Sequence, residues 1–287
     1  MNTIETLNIK KVGIILRPST PELKEMFFKT KTIFEQYDIE VLVDNISGSM
    51  IDVLGQEFEI MCENSDILVT IGGDGTLIST VRRSYQFNIP VLGLHAGRLG
   101  FLADIDIGEL DEFVQLLLNK EFRIDQRHML EATITTAKGE QKVIAFNDIV
   151  LTRPTISKMI HLKMYVDNKK FNTYYGDGVI VSTPTGSTAY NLSSGGPVIF
   201  PLSEVFVLTP ISPHSLTQRP VVLPSHFAVE VKTPDPKALA IVDGQEIYTF
   251  SKGDSIKIHL STVSAQLVHR KEFNYFDVLR EKLNWGD

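Results

Sequence analysis

Between Lys11 and about Lys120, short apolar runs alternate with longer segments whose apolar positions recur every three or four residues. Runs of the first kind read as buried strands and segments of the second as helices with one face in a core. Val12 to Leu16, Ile39 to Val43, Ile67 to Ile71 and Pro90 to Leu94 are the expected strands. Thr20 stands where a helix cap belongs, with Pro21 in the first turn and Leu23, Phe27, Phe28, Ile33 and Phe34 along the apolar face. Leu77, Ile78, Val81 and Tyr85 mark a second helix, and Gly108 to Asn119 a third. This alternation predicts an α/β N-terminal domain with a parallel sheet. After about Asp125 the period changes to two, Thr, Val, Ile and aromatic residues dominate, and turn pairs punctuate the runs at Lys138-Gly139, Asp167-Asn168, Asp243-Gly244 and Lys252-Gly253. That pattern predicts a predominantly antiparallel β C-terminal domain. Phe276 to Leu283 reads as a final helix returning to the first domain. The expected division is therefore 1–125, 126–270 and a C-terminal segment, 271–287, packing on the first domain.

Composition narrows the class. With 43% apolar and 22% charged residues among 287, the chain has enough apolar surface to bury a sizeable core. No run approaches the roughly 18 apolar residues of a membrane span, and Met1 to Lys11 is polar, so a cytoplasmic protein without a membrane anchor is expected. Cys62 is the single cysteine, which removes internal disulfides and cysteine metal clusters. A net charge of −7 argues against nucleic-acid binding. An anionic ligand would have to be held by local side chains, backbone amides or a metal ion.

Two stretches carry candidate chemistry. GGDGT at 72–76 follows the strand ending at Ile71 and precedes the helical period of Leu77, Ile78 and Val81. Glycines between a strand and a helix let a ligand approach the backbone, and a new helix offers amides to an anion, so Gly72, Gly73, Gly75 and Thr76 form a candidate phosphate cradle. Asp74 would repel phosphate there unless it binds a metal or accepts a proton from a hydroxyl. A hairpin turn is the bland alternative, but it would be followed by alternation. The stretch is neither a Walker A loop nor a GxGxxG fingerprint. The second stretch is DGVIVSTPTGSTAYNLSSGGP at 177–197, where seven serine and threonine hydroxyls lie between Ser182 and Ser194. That is more hydrogen-bonding capacity than a turn uses, and it suggests a polar ligand.

These two stretches, with LGFLAD at 99–104, Asn147-Asp148, RPVVLP at 219–224 and Asp243-Gly244-Gln245, occur in the order that marks the NAD kinases, and the chain resembles the bacterial members of that family over nearly its whole length. The resemblance implies ATP-dependent phosphorylation of the adenosine ribose 2′-hydroxyl of NAD, with Asp74 as proton acceptor and Mg²⁺ or another divalent cation accompanying ATP. It implies that Asn147 and Asp148 bind the ribose. Thr188, Ala189, Tyr190, Asn191, Leu192 and Ser193 would bind substrate, with Thr188, Ala189, Tyr190 and Ser193 contacting adenine or the nicotinamide end and Tyr190 packing on a ring. Asp177 would meet the nicotinamide riboside, Gln245 matches a family contact, and Lys158 and Gly75 fall at ligand-contacting positions. Homodimers or homotetramers are usual in the family.

The chain departs from the pattern at His95, where most relatives have asparagine, and at Tyr175, where many bacterial relatives have arginine. The other histidines, at 128, 161, 214, 226, 259 and 269, lack metal-ligand spacing and read as structural or surface residues. Lipid kinases share GGDGT but would need an amphipathic membrane-contacting helix, and no segment here reads as one. A sensor that had lost its chemistry would most simply have lost Asp74, which is present.

Overall fold

The computed structural model describes residues 7–97, 99–155 and 158–285. In chain order the strands are β1 (Lys11–Leu16), β2 (Glu40–Val43), β3 (Ile67–Gly72), β4 (Val91–His95), β5 (Ile105–Asp106), β6 (Phe122–Thr136), β7 (Gly139–Ala145), β8 (Asp148–Thr152), β9 (Ile160–Val166) and β10 (Lys169–Gly176). They continue with β11 (Gly178–Ser182), β12 (Val205–Ile211), β13 (Val221–Pro224), β14 (Ala228–Lys232), β15 (Ala238–Val242), β16 (Glu246–Phe250) and β17 (Ser255–Arg270). The helices are α1 (Lys24–Glu35), α2 (Asn45–Met50), α3 (Phe58–Asn64), α4 (Asp74–Ser84), α5 (Leu110–Leu118), α6 (Tyr190–Ser193) and α7 (Tyr275–Leu283). The chain forms two units, one of Met1–Gln126 with Ala265–Asp287 and the other of Arg127–Ser264.

In the first unit β4, β3, β1 and β2 lie side by side and parallel, with Gly13 beside Leu68 and Leu42, and Gly72 beside His95. Strand β1 has β2 on one side and β3 on the other, and such a reversal of winding opens a crevice beyond the carboxyl ends of the strands. GGDGT begins at that end of β3. Parallel strands covered on both faces read as continuous apolar runs, which is why β1 and β3 were visible in the sequence. Val12, Ile14, Ile67, Val69, Leu92 and Leu94 fill the core with Phe27, Phe34 and Phe113. The free edge of β4 is shared: its first half pairs in parallel with Leu267 and Val268 of β17, and its second half with β5. This pairing places 265–270 in the first unit, earlier than the change of period alone indicates.

Two local expectations need correction. Thr20 does not cap with its side chain; its hydroxyl donates back to the Arg17 carbonyl, and a 3-10 turn over Pro21–Leu23 starts the helix instead. Phe28 is exposed although Phe27 and Phe34 are buried, because only one of two adjacent positions can face the core.

The second unit is built from antiparallel strands. One set runs β10, β9, β14 and the first part of β17, and another runs β13, β12, β11, β8, β15 and β16. Their inward residues, among them Leu151, Leu162, Met164, Val179, Val181, Phe206 and Val229, form one core. Asp167 and Asn168 (φ 48° and 63°) make one of the hairpin turns, and Asp243 and Gly244 (φ 48° and 67°) another. Successive left-handed residues match the twist of the strands they join, which explains the Asp-Asn and Asp-Gly pairs.

Candidate active site

In the first unit Asp74 is the first residue of α4, following Gly73 in extended conformation. A Cβ placed on Gly73 or Gly75 would meet no atom within 4 Å, so the backbone of the cradle is open. Gly72 differs: its position presses on the Thr76 side chain, and Thr76 is buried. The Asp74 carboxylate is held by the LGFLAD segment. Its Oδ2 accepts from the Phe101 amide at 2.8 Å, and its Oδ1 from the Leu102 and Ala103 amides at 3.1 and 3.2 Å. Gly100 is required here, because a Cβ would overlap that carboxylate. His95 is buried at the end of β4, with Nδ1 3.7 Å from an Asp106 oxygen.

In the second unit a cavity of about 510 Å³ brings together Asn147, Asp148, Ala189, Tyr190, Ile241, Asp243 and Gly244. The Asn147-Asp148 segment is gripped by Asp243: its Oδ2 accepts from the Phe146 amide at 2.8 Å, and its Oδ1 from the Asn147 and Asp148 amides at 2.7 and 2.9 Å. Burial, reinforced by the neighbouring Asp243 charge, pushes the Asp148 carboxyl up to about 7. Asn147 keeps a buried side-chain oxygen without a hydrogen-bond partner. Gly186 packs so closely on the Asn147 carbonyl that a Cβ would overlap it, which joins the TPTGSTAY loop to this segment. Tyr190 presents a largely exposed ring.

Much of the hydroxyl capacity counted in the second stretch is used by the loop itself. Thr183 donates to the Phe146 carbonyl and accepts from the Gly186 amide, and Ser187 donates to the Pro184 carbonyl and accepts from the Ile199 amide. The Asn191 amide donates to the Ser187 and Pro197 carbonyls and accepts from Thr209, so this fully buried side chain organises the loop. A short polar segment with few apolar contacts needs such bonds to hold one shape.

The remaining expected residues lie elsewhere on the second unit. Thr188 and Leu192 are half-buried beside the cavity lining, and Ser193, Gln245 and Lys158 are exposed. Asp177 pairs with Arg153, whose Nη2 is 3.0 Å from its carboxylate. Arg153 escaped sequence reasoning, since only the register of β8 on β11, with Thr152 beside Gly178, brings it to Asp177. Asp243 was legible as a turn residue and as part of the Asp243-Gly244-Gln245 motif, but not as the group that holds the 146–148 amides. Tyr175 stacks on His161, with centroids 4.3 Å apart and planes at 18°, and lies 5.5 Å from His214.

Residues 12–122 match the ATP-NAD kinase N-terminal domain and residues 146–270 the ATP-NAD kinase C-terminal domain. The NAD kinase of Sulfurimonas denitrificans is 57% identical over 279 residues, covering 97% of this chain and 98% of that protein. A Campylobacter jejuni NAD kinase is 40% identical, covering 100% of this chain and 99% of the relative. Among solved structures, yeast NADH kinase complexed with NADH superposes with a TM-score of 0.90 at 27% identity, over 97% of this chain and 89% of that one. The NAD kinase from Archaeoglobus fulgidus in complex with ATP gives 0.77 at 25% identity, over 96% and 98%. With both domain matches in sequence order and relatives of this identity aligned end to end, the chain belongs to the NAD kinase family, whose reaction is the ATP-dependent phosphorylation of NAD.

Proposed function

We propose that the chain transfers the γ-phosphoryl group of ATP to the adenosine ribose 2′-hydroxyl of NAD, and that Asp74 accepts the hydroxyl proton. The 2′-oxygen forms a bond to the γ-phosphorus, the bond from that phosphorus to the β,γ-bridging oxygen breaks, and NADP and ADP leave. The observation that carries this reading is the Asp74 carboxylate held on three backbone amides at the start of α4, beside glycines with open space around them. Such a carboxylate is fixed in direction, and phosphoryl transfer asks the protein mainly for positioning and charge neutralisation.

The Gly73 and Gly75 backbone, open on its outer side, is assigned to phosphate with Gly72 beside it, whereas the Thr76 amide donates to the Gly73 carbonyl at 3.0 Å and leaves that residue only a shaping part in the cradle. The family resemblance brings a divalent cation with ATP, and it is read as part of the substrate, Mg·ATP. When bound, it neutralises triphosphate charge. Asp148 and Asn147 are assigned to ribose hydroxyls, supported by their place on one cavity with Tyr190, whose exposed ring suits stacking on a base. Thr188, Ala189 and Ser193, with Leu192, are assigned to the dinucleotide rings, Asp177 to the nicotinamide riboside, and Gln245, Lys158 and Tyr175 to its periphery. Asn191 contributes by shaping the loop. Assembly as a homodimer or homotetramer follows the family resemblance, and light scattering reads it directly. No described helix is long and apolar enough to cross a membrane.

The test is NADP formation from NAD and ATP by wild type and Asp74→Asn. A positioned base contributes roughly 10²- to 10⁴-fold, so turnover should fall by that factor in a protein that still folds. Retention of more than about a tenth of wild-type kcat at saturating substrates would overturn the proton-acceptor role.

A further inference from the structure

His269 is the fully buried histidine at the end of β17, where Leu267 and Val268 have just paired with β4. Its Nδ1 lies 3.1 Å from an Asp104 oxygen, within ion-pair reach though not aligned as a hydrogen bond, and its Nε2 3.8 Å from an Asp125 oxygen, and both carboxylates are almost wholly buried. Asp125 is in turn held by Arg123, whose Nε is 3.1 Å away, and the Phe273 ring stacks on the imidazole at 4.3 Å. All of these groups belong to the first unit. A buried ionic network of this kind is weak evidence of a stabilising role, because well-packed apolar replacements are often as stable. What this one does is directional.

Asp104 ends the segment 99–104. That segment is tied at its start by Lys282 of α7, which donates to the Leu99 carbonyl, and is closed on itself by the Gly100 amide on the Ala103 carbonyl at 3.0 Å. Between these ties lie the three amides that hold Asp74. Two residues of the 265–287 stretch, His269 and Lys282, therefore grip the two ends of the strap whose middle aims the carboxylate. We propose that His269, acting through Asp104, is a positioning residue for phosphoryl transfer: it fixes the 99–104 strap and so the direction of Asp74. This rests on the reading of Asp74 as proton acceptor. A misplacement of about 1 Å costs on the order of 10²-fold in rate, so a strap anchor far from the substrate can govern turnover.

The experiment compares His269→Phe, which keeps the ring on Phe273 but loses both nitrogens, with His269→Asn, whose amide nitrogen occupies the place of Nδ1 facing Asp104. In His269→Phe kcat should fall by about 10- to 100-fold while KM for NAD and ATP stays within about twofold. The Phe101 to Ala103 amides should exchange with solvent at least about tenfold faster, with those of β3 and β4 unchanged. His269→Asn should recover kcat to within about threefold of wild type. The proposal is overturned if His269→Phe keeps its turnover, if the β3 and β4 amides loosen as much as the strap, or if His269→Asn is as damaged as His269→Phe. Should His269→Phe fail to fold, Asp104→Leu, which has no acceptor for Nδ1, takes its place with the same expected results. Asp74→Asn, run in parallel, separates the two readings: if it retains turnover the proton-acceptor role fails, while amide exchange in the histidine variants still decides whether His269 holds the strap.

Discussion

Asp243→Asn tests how the second unit shapes its candidate ribose site. The substitution suits the backbone, since position 243 has φ 48° and asparagine tolerates that left-handed region. What changes is the acceptor set. The carboxylate holds three amides, two on Oδ1 and one on Oδ2. An asparagine keeping its oxygen toward Asn147 and Asp148 turns its own N–H groups toward the Phe146 amide, so one charge-assisted bond is lost and a donor faces a donor. A hydrogen bond to a charged group contributes about 1.5 to 3 kcal/mol, and that is the expected destabilisation. At roughly 2 to 4 °C per kcal/mol, the melting transition should fall by about 3 to 12 °C. The charge effect has a second signature. Burial remains but the Asp243 repulsion disappears, so the Asp148 carboxyl should ionise at lower pH than about 7. Calorimetry supplies the first measurement, and NAD affinity as a function of pH the second. An unchanged melting transition together with an unchanged pH midpoint would refute the clamp.

In the wild type, if ribose hydroxyls donate to ionised Asp148, NAD affinity should rise with pH up to about 7, by at most about tenfold per unit, and then level off. The stability linked to the same group runs oppositely: its pKa is raised on folding from 3.8 to about 7, so its contribution is fully present below 3.8 and is lost as pH rises through about 7. Gly100→Ala drives a Cβ into the Asp74 carboxylate, and steady-state kinetics should show reduced kcat with little change in NAD affinity. Tyr175→Arg removes the stack on His161, worth about 0.5 to 1.5 kcal/mol, so melting should fall and any loss of NAD affinity should be insensitive to salt; a salt-sensitive gain would show instead that position 175 works through charge.

Period and punctuation along the chain were enough to place the parallel sheet, the change to antiparallel strands near residue 125 and the hairpin turns, because strands buried on both faces are apolar throughout and left-handed turns accept few residue types. GGDGT was legible because a carboxylate in a cradle that suits an anion needs a partner, although the sequence did not show that the amides of 101–103 are among its partners. Everything that aims those groups was invisible. The amides that hold Asp74 come from 101–103, those that Asp243 holds come from 146–148, and the partner of Asp177 is Arg153. None of these pairings has a local period, since each depends on strand register and on loops folding over strand ends. The hydroxyls of the TPTGSTAY loop teach the same point, for a sequence counts donors and acceptors but only tertiary structure decides which of them the protein uses for itself and which it leaves for a ligand.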